Sequence, residues 1–327
     1  MPIGNGDTAA LVWPDLAAGT VHVQVAKQDA MGSDMALLKL GSVALVVGLP
    51  LQPAHFRQTL DLATATVTIE AGATAADASV VAVWVDAAAN CVRARVSHAA
   101  GGSSLPLAVE LSSVRSAEGV SAWDTGGGLN NCTYCTGTTY EQPPDAFDDA
   151  PERTPTSPLI ISHANPPRAE FSIVEAVLVQ QGLGHLVQDP SIAALEQWSG
   201  RTFGMAVSGA GLQRINARFL ASASDAASHE LTISTLSSIP LQSHEGWRSA
   251  LLEQHHRDRS GGAAARTAHE RWWRAFWSRS HVRIGAGANA SKAPDAAQVS
   301  MQYANARYLQ IIQSRGQWPI KFVRPQH

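Results

Sequence analysis

Apolar and polar side chains alternate along much of residues 1–240, and this period of two predicts β-strands. Residues 21–25 and 65–70 alternate throughout, whereas residues 80–85 are apolar at almost every position. Turn-forming Gly, Asp and Asn residues separate several of these runs, which predicts short antiparallel strands rather than βαβ units. We therefore expect a mainly β fold, with one large antiparallel sandwich over residues 1–240. Further predicted strands cover residues 91–96, 105–111, 173–179, 204–208, 212–220 and 230–236.

Glycine and proline are concentrated in residues 123–170, where glycines 126–128 precede a series of closely spaced prolines. This composition predicts a long irregular excursion from the sandwich. A short helix is expected over residues 191–198, because Asp189 and Pro190 suit a helix start.

The pattern changes to a helical period after residue 242. Residues 243–257 predict one helix, and Thr267 with Glu270 forms a capping-box pattern that predicts the start of a second. Residues 298–314 predict a third helix. Its apolar stripe comprises Met301, Ala304, Tyr308, Ile311 and Ile312.

Four aromatic residues lie close together in the second predicted helix: Trp272, Trp273, Phe276 and Trp277. Such a group serves either as a platform on which sugars stack or as a set of domain-packing anchors. The helical spacing favours domain packing.

Little chain follows the stripe of the third helix, so we expect a further helical domain to cover it. The expected organisation is a sandwich domain over residues 1–240, linker helices over 241–284, and the start of a truncated helical domain over 285–327.

The composition favours a folded, soluble protein. Of the 327 residues 45% are hydrophobic and 16% are charged, enough to form a substantial core. A net charge of −3 provides no strong field for nucleic acid or for an anionic membrane. No apolar run approaches the length of a transmembrane helix, and the first residues do not resemble a signal peptide, which leaves the location of the protein open.

Cysteine and histidine offer few metal-binding patterns. Cys132 and Cys135 could be half of a zinc site, a redox pair or, as their loop-like surroundings favour, loop cysteines bonded to each other or free. His255 and His256 are adjacent on a predicted helix and therefore point about 100° apart. Residues 255–258 thus predict a solvated helix end, and we expect no metal and no cofactor.

The start of the chain, Met1-Pro-Ile-Gly-Asn-Gly-Asp7, resembles the opening signature of glycoside-hydrolase-like proteins that carry a domain of unknown function. Those proteins are related to α-L-fucosidases with a similar start. More patches agree in the same order along the chain: residues 27–30, 37–41, 56–62, 189–190, 201–204, 272–280 and 302–322.

The resemblance implies an N-terminal super-β-sandwich packed on an (α/α)6 barrel that carries the catalytic carboxylates. By this analogy the chain ends just after the first barrel helix and begins inside the sandwich. Two departures weaken the analogy at the substrate-facing surface. Met31 stands where the family usually has an aromatic residue, and His163 and Asn165 precede two prolines.

Glycoside hydrolysis requires two carboxyl groups that flank the scissile bond, and the sequence places no such pair. Structural roles are favoured for three other carboxylates: Asp61 lies on a predicted strand, Glu270 resembles a capping residue, and Asp189 precedes a proline at a helix start, where a carboxylate caps backbone N–H groups. We therefore assign no catalytic residue.

Asn5 and Asp7 lie in a glycine turn that could direct them toward a sugar or only stabilise the turn. By the resemblance, Lys27 and Asp29 would form an ion pair near the same edge. The candidate substrate-binding residues are therefore Asn5, Asp7, Lys27 and Asp29.

These observations favour a non-catalytic sandwich that braces a C-terminal barrel domain, which this chain lacks, and contributes to a carbohydrate site. The alternative is a free-standing carbohydrate- or partner-binding sandwich. Neither function involves nucleic acid or a membrane.

Overall fold

The computed structural model describes residues 1–33, 36–99, 105–116, 119–120, 143–149, 154–168, 170, 172–193, 197–224, 226–238, 243–285 and 293–315. Within these residues two large antiparallel sheets enclose one apolar core, and helices follow. The predicted mainly β sandwich followed by helices is therefore confirmed.

The described strands range from short edge pieces to β3, which has 12 residues. In chain order they are β1 (Pro2–Gly4), β2 (Thr8–Asp15), β3 (Thr20–Met31), β4 (Leu37–Val46), β5 (His55–Asp61), β6 (Thr66–Gly72), β7 (Ser79–Val85), β8 (Cys91–His98), β9 (Ala108–Ser112), β10 (Arg115–Ser116), β11 (Gly119–Val120), β12 (Ala146–Phe147), β13 (Leu159–Ala164), β14 (Thr202–Gly209), β15 (Leu212–Arg214), β16 (Phe219–Ser222) and β17 (Ser228–Ser237).

The helices lie between strands or after the last one. They are α1 (Ile173–Gln180), α2 (Pro190–Ala193), α3 (His244–Ser260), α4 (Gly262–Arg279) and α5 (Ala293–Ile311), with a 3-10 turn at Gly184–Leu186. None of these described helices combines the length and the apolar character that a bilayer crossing requires.

Neighbouring strands are antiparallel throughout both sheets. The first sheet has the order β1-β2-β3-β4-β9-β16-β15, and the second has the order β12-β13-β14-β17-β8-β7-β6-β5. Strands β10 and β11 form a separate small hairpin.

The core lies between the inward faces of the two sheets. In β3, Val21, Val23 and Val25 are completely buried, and in β7 Val81 and Val83 oppose them from the second sheet. The period-two pattern is therefore explained by one face of each strand lying in a shared core.

Three predictions within the sandwich were wrong. Residues 173–179 form helix α1, because the side chain of Ser172 caps the helix by accepting from the N–H of Glu175 at 3.2 Å. Residues 212–220 form two strands, β15 and β16, joined by a turn. The excursion predicted to be irregular over 123–170 contains β13, which pairs with β14 inside the second sheet, while its residues 123–142, 150–153 and 169 lie outside the described residues.

The helix boundaries also differ from prediction. The described part of helix α2 is Pro190–Ala193; residues 194–196 lie outside the described residues, and Trp198 is not helical. Helix α4 begins at Gly262, so Thr267 is inside the helix and not at a cap; its hydroxyl donates to the carbonyl of Ala263. The apolar stripe of α5 is buried at Tyr308 but not at Met301, which is 59% exposed.

The last three helices cover different parts of the sandwich. Helix α3 lies on the outer face of the second sheet, where Trp247 and Leu251 pack on Ile160 and Ala206. Helices α4 and α5 meet at the end of the sandwich, where an aromatic cluster joins them to its hairpins.

Candidate functional site

The turn between β1 and β2 is fixed by Asn5. Its amide nitrogen donates to the carbonyls of Asp86 and Ala89 at 2.9 Å each. Its amide oxygen accepts from the N–H groups of Asp7 and Thr8. Asn5 therefore ties the first sheet to the β7–β8 hairpin of the second, and protein groups occupy these hydrogen-bonding positions.

The same turn receives the end of α5. The N–H of Gly6 donates to the carbonyl of Ile312, and the N–H of Arg315 donates to the carbonyl of Gly6, both at 3.1 Å. A Cβ on Gly4 would lie 2.6 Å from the Ile312 carbonyl oxygen. The glycines of the opening motif are thus required because a helix end lies directly on the backbone.

Asp7 and Asp29 bind the same lysine. The Lys27 ammonium lies 2.7 Å from Asp7 Oδ1 and 2.8 Å from Asp29 Oδ1, and Asn90 also donates to Asp7 at 2.7 Å. The predicted Lys27–Asp29 ion pair is confirmed. The structure therefore brings all four candidate residues to one edge, with Lys27 buried and Asp7 25% exposed.

Asp29 connects this chain of charges to the second sheet. Its Oδ1 accepts from Ser237 at 2.7 Å, and its carbonyl accepts from Arg201. Burial raises the pKa of the Asp29 carboxyl, but Lys27, Ser237 and Arg201 outweigh it and bring the pKa below its usual value. Asp29 is therefore an ionised carboxylate held in place at neutral pH.

A groove of about 420 Å³ lies beside Asp7 and Lys27 on the outer face of the first sheet. Its floor is made of small and aliphatic residues of β2 and β3, among them Ala9 and Ala26. Ile312 closes one end. Polar side chains at the rim include Gln24, Gln28, Lys39 and Gln313.

The four aromatic residues predicted to pack domains lie between α4, α5 and the hairpin ends. Trp273 is 1% exposed, and its ring centroid lies 5.7 Å from that of Tyr308. Trp272 and Phe276 stack on each other, and the indole N–H of Trp277 donates to the carbonyl of Leu62 at 2.7 Å. All four therefore contact protein, which is the geometry expected of packing anchors.

The remaining carboxylates with a predicted role are engaged locally. Asp61 accepts from the N–H of Ala63 in a turn, Asp189 accepts from the N–H of Ser191, and Glu270 pairs with Arg266 on α4. Within the described ranges, no three His, Cys, Asp or Glu side chains are grouped so that they could hold a metal ion. Cys132 and Cys135 lie outside those ranges.

A buried polar network on α3 was missed by the sequence reasoning. His255 is 3% exposed and Asp258 is also buried, so the predicted solvated helix end was wrong for these two residues, whereas His256 and Arg257 are exposed. His255 contacts Ser208 at 2.7 Å and Ser234 at 2.9 Å, and Ser234 donates to Asp258 at 2.6 Å. The sequence does contain a signal for this burial, because His255 lies four residues after Leu251 and therefore on the same side of the helix.

Comparison with known proteins identifies the family. Residues 1–282 match the family model DUF5703_N, described as a domain of unknown function (DUF5703). None of the curated proteins matches the chain. Among solved structures, one titled "Putative kojibiose phosphorylase from human microbiome" is similar at 8% sequence identity and a TM-score of 0.49. The match covers 95% of this chain, which spans only 39% of that one.

The family match confirms the domain-of-unknown-function part of the resemblance, and the relation to α-L-fucosidases stays a prediction. Because the matched residues make up most of its length, the chain belongs to the DUF5703_N family.

Proposed function

We propose that the chain is the non-catalytic sandwich portion of a glycoside-hydrolase-like protein, which braces a helical domain and lends its N-terminal edge to a carbohydrate site. The observation that carries the proposal is a concentration of exposed apolar side chains at the helical end of the molecule. Five lie within residues 282–309, each more than two-fifths exposed: Val282, Ile284, Val299, Met301 and Leu309.

Exposed apolar side chains are ordinary when they are scattered, and those of the sandwich are spread from Leu11 to Phe219. A concentration of such side chains near one end of a molecule is characteristic of a surface that another protein segment covers. Helix α5 contacts the sandwich through Tyr308 and Ile312 near its C-terminal end and leaves Val299, Met301 and Leu309 exposed.

A brace must hold its contact surface rigidly. Helix α4 is fixed at two hairpins, since His269 bonds the carbonyl of Thr64 and the N–H of Ala87. Arg315 donates to the carbonyls of both Gly6 and Ala87, which joins the end of α5 to both sheets. These bonds support a fixed orientation of α5 on the sandwich.

The carbohydrate part of the proposal depends on Asp7, Lys27 and Asp29. Carboxylates held by a buried lysine present oriented acceptors to hydroxyl groups, and both carboxylates keep part of their surface in water. Asp7 and Lys27 line the groove of the first sheet, where a sugar could rest on an apolar floor.

The non-catalytic assignment predicts that the purified chain releases no sugar. Aryl fucosides, aryl galactosides and polysaccharides are the substrates to assay. Turnover that persists through further purification steps would overturn the assignment.

The bracing role predicts self-association through the exposed patch when no helical domain covers it. The double variant Met301→Gln/Leu309→Gln should reduce both self-association in analytical ultracentrifugation and binding of an apolar dye. Leu51→Gln is the matched control, because Leu51 is 64% exposed but lies on the sandwich. An equal effect of the control, or none from the double variant, would contradict the role.

A free-standing carbohydrate-binding sandwich is the second candidate, and the groove beside Asp7 favours it. It predicts saturable binding of an oligosaccharide by the isolated chain, weakened by Asp7→Asn and unchanged by Asp77→Asn, which alters an exposed turn. Binding with that pattern but no self-association would favour this candidate over the brace.

A further inference from the structure

A second concave surface lies far from the groove of the first sheet, where the junction of α3 and α4 stands over the outer face of the second sheet. It consists of two adjoining cavities of about 400 Å³ and about 320 Å³. Both are lined by Arg93, Glu230, Thr232 and Gly262, so they form one cleft.

Four guanidinium groups line this cleft, and two of them are already fixed. Arg93 donates to Asp86 at 3.0 Å and to the carbonyl of Asp258 at 2.8 Å. Arg266 pairs with Glu270 at 2.7 Å and lies over the ring of Trp84. These two arginines therefore form a rigid wall whose charge is largely balanced.

Arg95 and Arg259 differ from that pair. Both are exposed, and neither forms an ion pair with a carboxylate in the part of the chain that the structure describes. Arg95 projects from β8 and Arg259 from the last turn of α3, so they reach the cleft from two separate elements. Two exposed guanidinium groups thus line the same cleft, Arg95 in the larger cavity and Arg259 in the smaller one.

Among the described residues, one carboxylate lines the two cavities, that of Glu230, which lies directly across from Arg95 on the neighbouring strand. Thr232, Ser260 and Thr267 add hydroxyl groups to the lining, and the imidazole of His256 lines the smaller cavity. Guanidinium groups bind carboxylate, sulfate and phosphate in a planar two-point geometry, and hydroxyls supply further hydrogen bonds.

We propose that this cleft binds a small ligand through an oxyanion group that lies between Arg95 and Arg259. The volume accommodates a ligand larger than a bare ion, and the hydroxyls suit a polyhydroxylated one. The site is independent of the proposed brace, which uses the opposite end of α4.

Calorimetric titration of the full chain with sulfate, phosphate and glucuronate tests the proposal. Each probe should bind saturably, and Arg95→Gln or Arg259→Gln should weaken binding about tenfold. Glu230→Gln should strengthen binding, since it removes the one opposing charge in the lining. Glucuronate binding more tightly than sulfate would identify an acidic sugar as the ligand; equal affinities would identify the oxyanion alone.

Arg57→Gln is the control, because Arg57 is an exposed arginine on edge strand β5 outside the cleft. It should leave binding unchanged. Absence of saturable binding, equal loss from the control, or no response to Arg95→Gln and Arg259→Gln would overturn the proposal. The three arginines and Glu230 are exposed, so folding of each variant is checked by its circular dichroism before titration.

Discussion

Gly6 is the residue at which the opening turn and the last helix meet. Its φ of +91° lies in the region that favours glycine, and an added Cβ would come within 2.2 Å of the Cβ of Arg315. We predict that Gly6→Ala lowers the free energy of unfolding by roughly 2–4 kcal/mol, from backbone strain and from the clash with α5. Urea denaturation measures the change.

Gly211→Ala separates the two causes of that loss. Gly211 also has a positive φ, +72°, but a Cβ there would meet nothing within 4 Å. The control should therefore cost only the backbone strain, about 1–2 kcal/mol. Equal losses at Gly6 and Gly211 would show that the end of α5 does not press on the turn.

His255 is the buried titratable group with the clearest consequence for pH. When Asp258 is ionised, the hydrogen bonds run in one direction: Ser208 donates to His255 Nε2, His255 Nδ1 donates to Ser234, and Ser234 donates to Asp258. Burial, with the nearby charge of Arg259, lowers the pKa of His255 to about 4. The neutral ring is therefore the form that the fold accommodates.

This lowered pKa predicts acid sensitivity. The unfolded chain binds a proton at His255 below pH 6.5, whereas the folded chain does so only near pH 4. The contribution of neutral His255 to the free energy of unfolding is fully present above pH 6.5. It is lost as pH falls through about 4, a loss of about 3 kcal/mol. Asp29 also makes the fold less stable as pH falls, because the pKa of its carboxyl is lowered. Asp258 has the opposite effect on stability, because burial raises the pKa of its carboxyl.

His255→Gln tests this prediction, since glutamine keeps hydrogen-bonding capacity but does not titrate. Stability measured by urea denaturation from pH 7 to pH 4 should fall more steeply in the unmodified protein than in the variant. Parallel pH profiles would contradict a role for His255.

At the scale of elements, strands with strict alternation were predictable and short apolar runs were not. Residues 21–25 lie within β3, because strict alternation fits a strand that buries one face and exposes the other. Residues 173–179 fit a strand or a helix equally, and a local cap at Ser172 decides for the helix. Thr267 matched a cap pattern, but α4 starts a turn earlier.

Only those contacts of the candidate site that join residues close in sequence were predictable. Lys27 and Asp29 are two residues apart on one strand, so their pairing follows from local geometry. The bonds of Asn5 to Asp86 and Ala89 span most of the sandwich, and no local pattern reports them. The two partners of His255, Ser208 and Ser234, lie on separate strands, β14 and β17, and are unpredictable for the same reason.

The contact between α4 and α5 depends chiefly on Trp273, which is buried against Tyr308 and Ile312. We predict that Trp273→Ala destabilises these helices by roughly 3–5 kcal/mol, the cost of a large cavity. Trp272→Ala should cost about 1–2 kcal/mol, because Trp272 is half-buried and loses mainly its contacts with Phe276 and Arg315. Urea denaturation followed by the circular dichroism of the helices compares the two variants. Equal losses in the free energy of unfolding would show that burial of Trp273 is not decisive.

On the scale of the whole molecule, the sandwich and the helical end differ in how they are stabilised. The sandwich has one continuous core between two large sheets, whereas α5 is held by a small separate cluster and by the bonds to Gly6 and Pro2. Helix α3 belongs with the sandwich, since Trp247 and Leu251 are fully buried against the second sheet. The molecule should therefore open at α5 before its sheets separate.

Hydrogen exchange on the intact chain measures this order. Amides of β17, a central strand of the second sheet, should exchange only through global unfolding, and amides of α5 should exchange much faster through local opening. Trp273→Ala should accelerate exchange in α5 and leave β17 unchanged, because the substituted side chain lies in the separate cluster. If α5 instead exchanges as slowly as β17, or if the variant accelerates both equally, the helical end and the sandwich unfold as a single cooperative unit. In that case a brace built on α5 would be as stable as the sandwich itself.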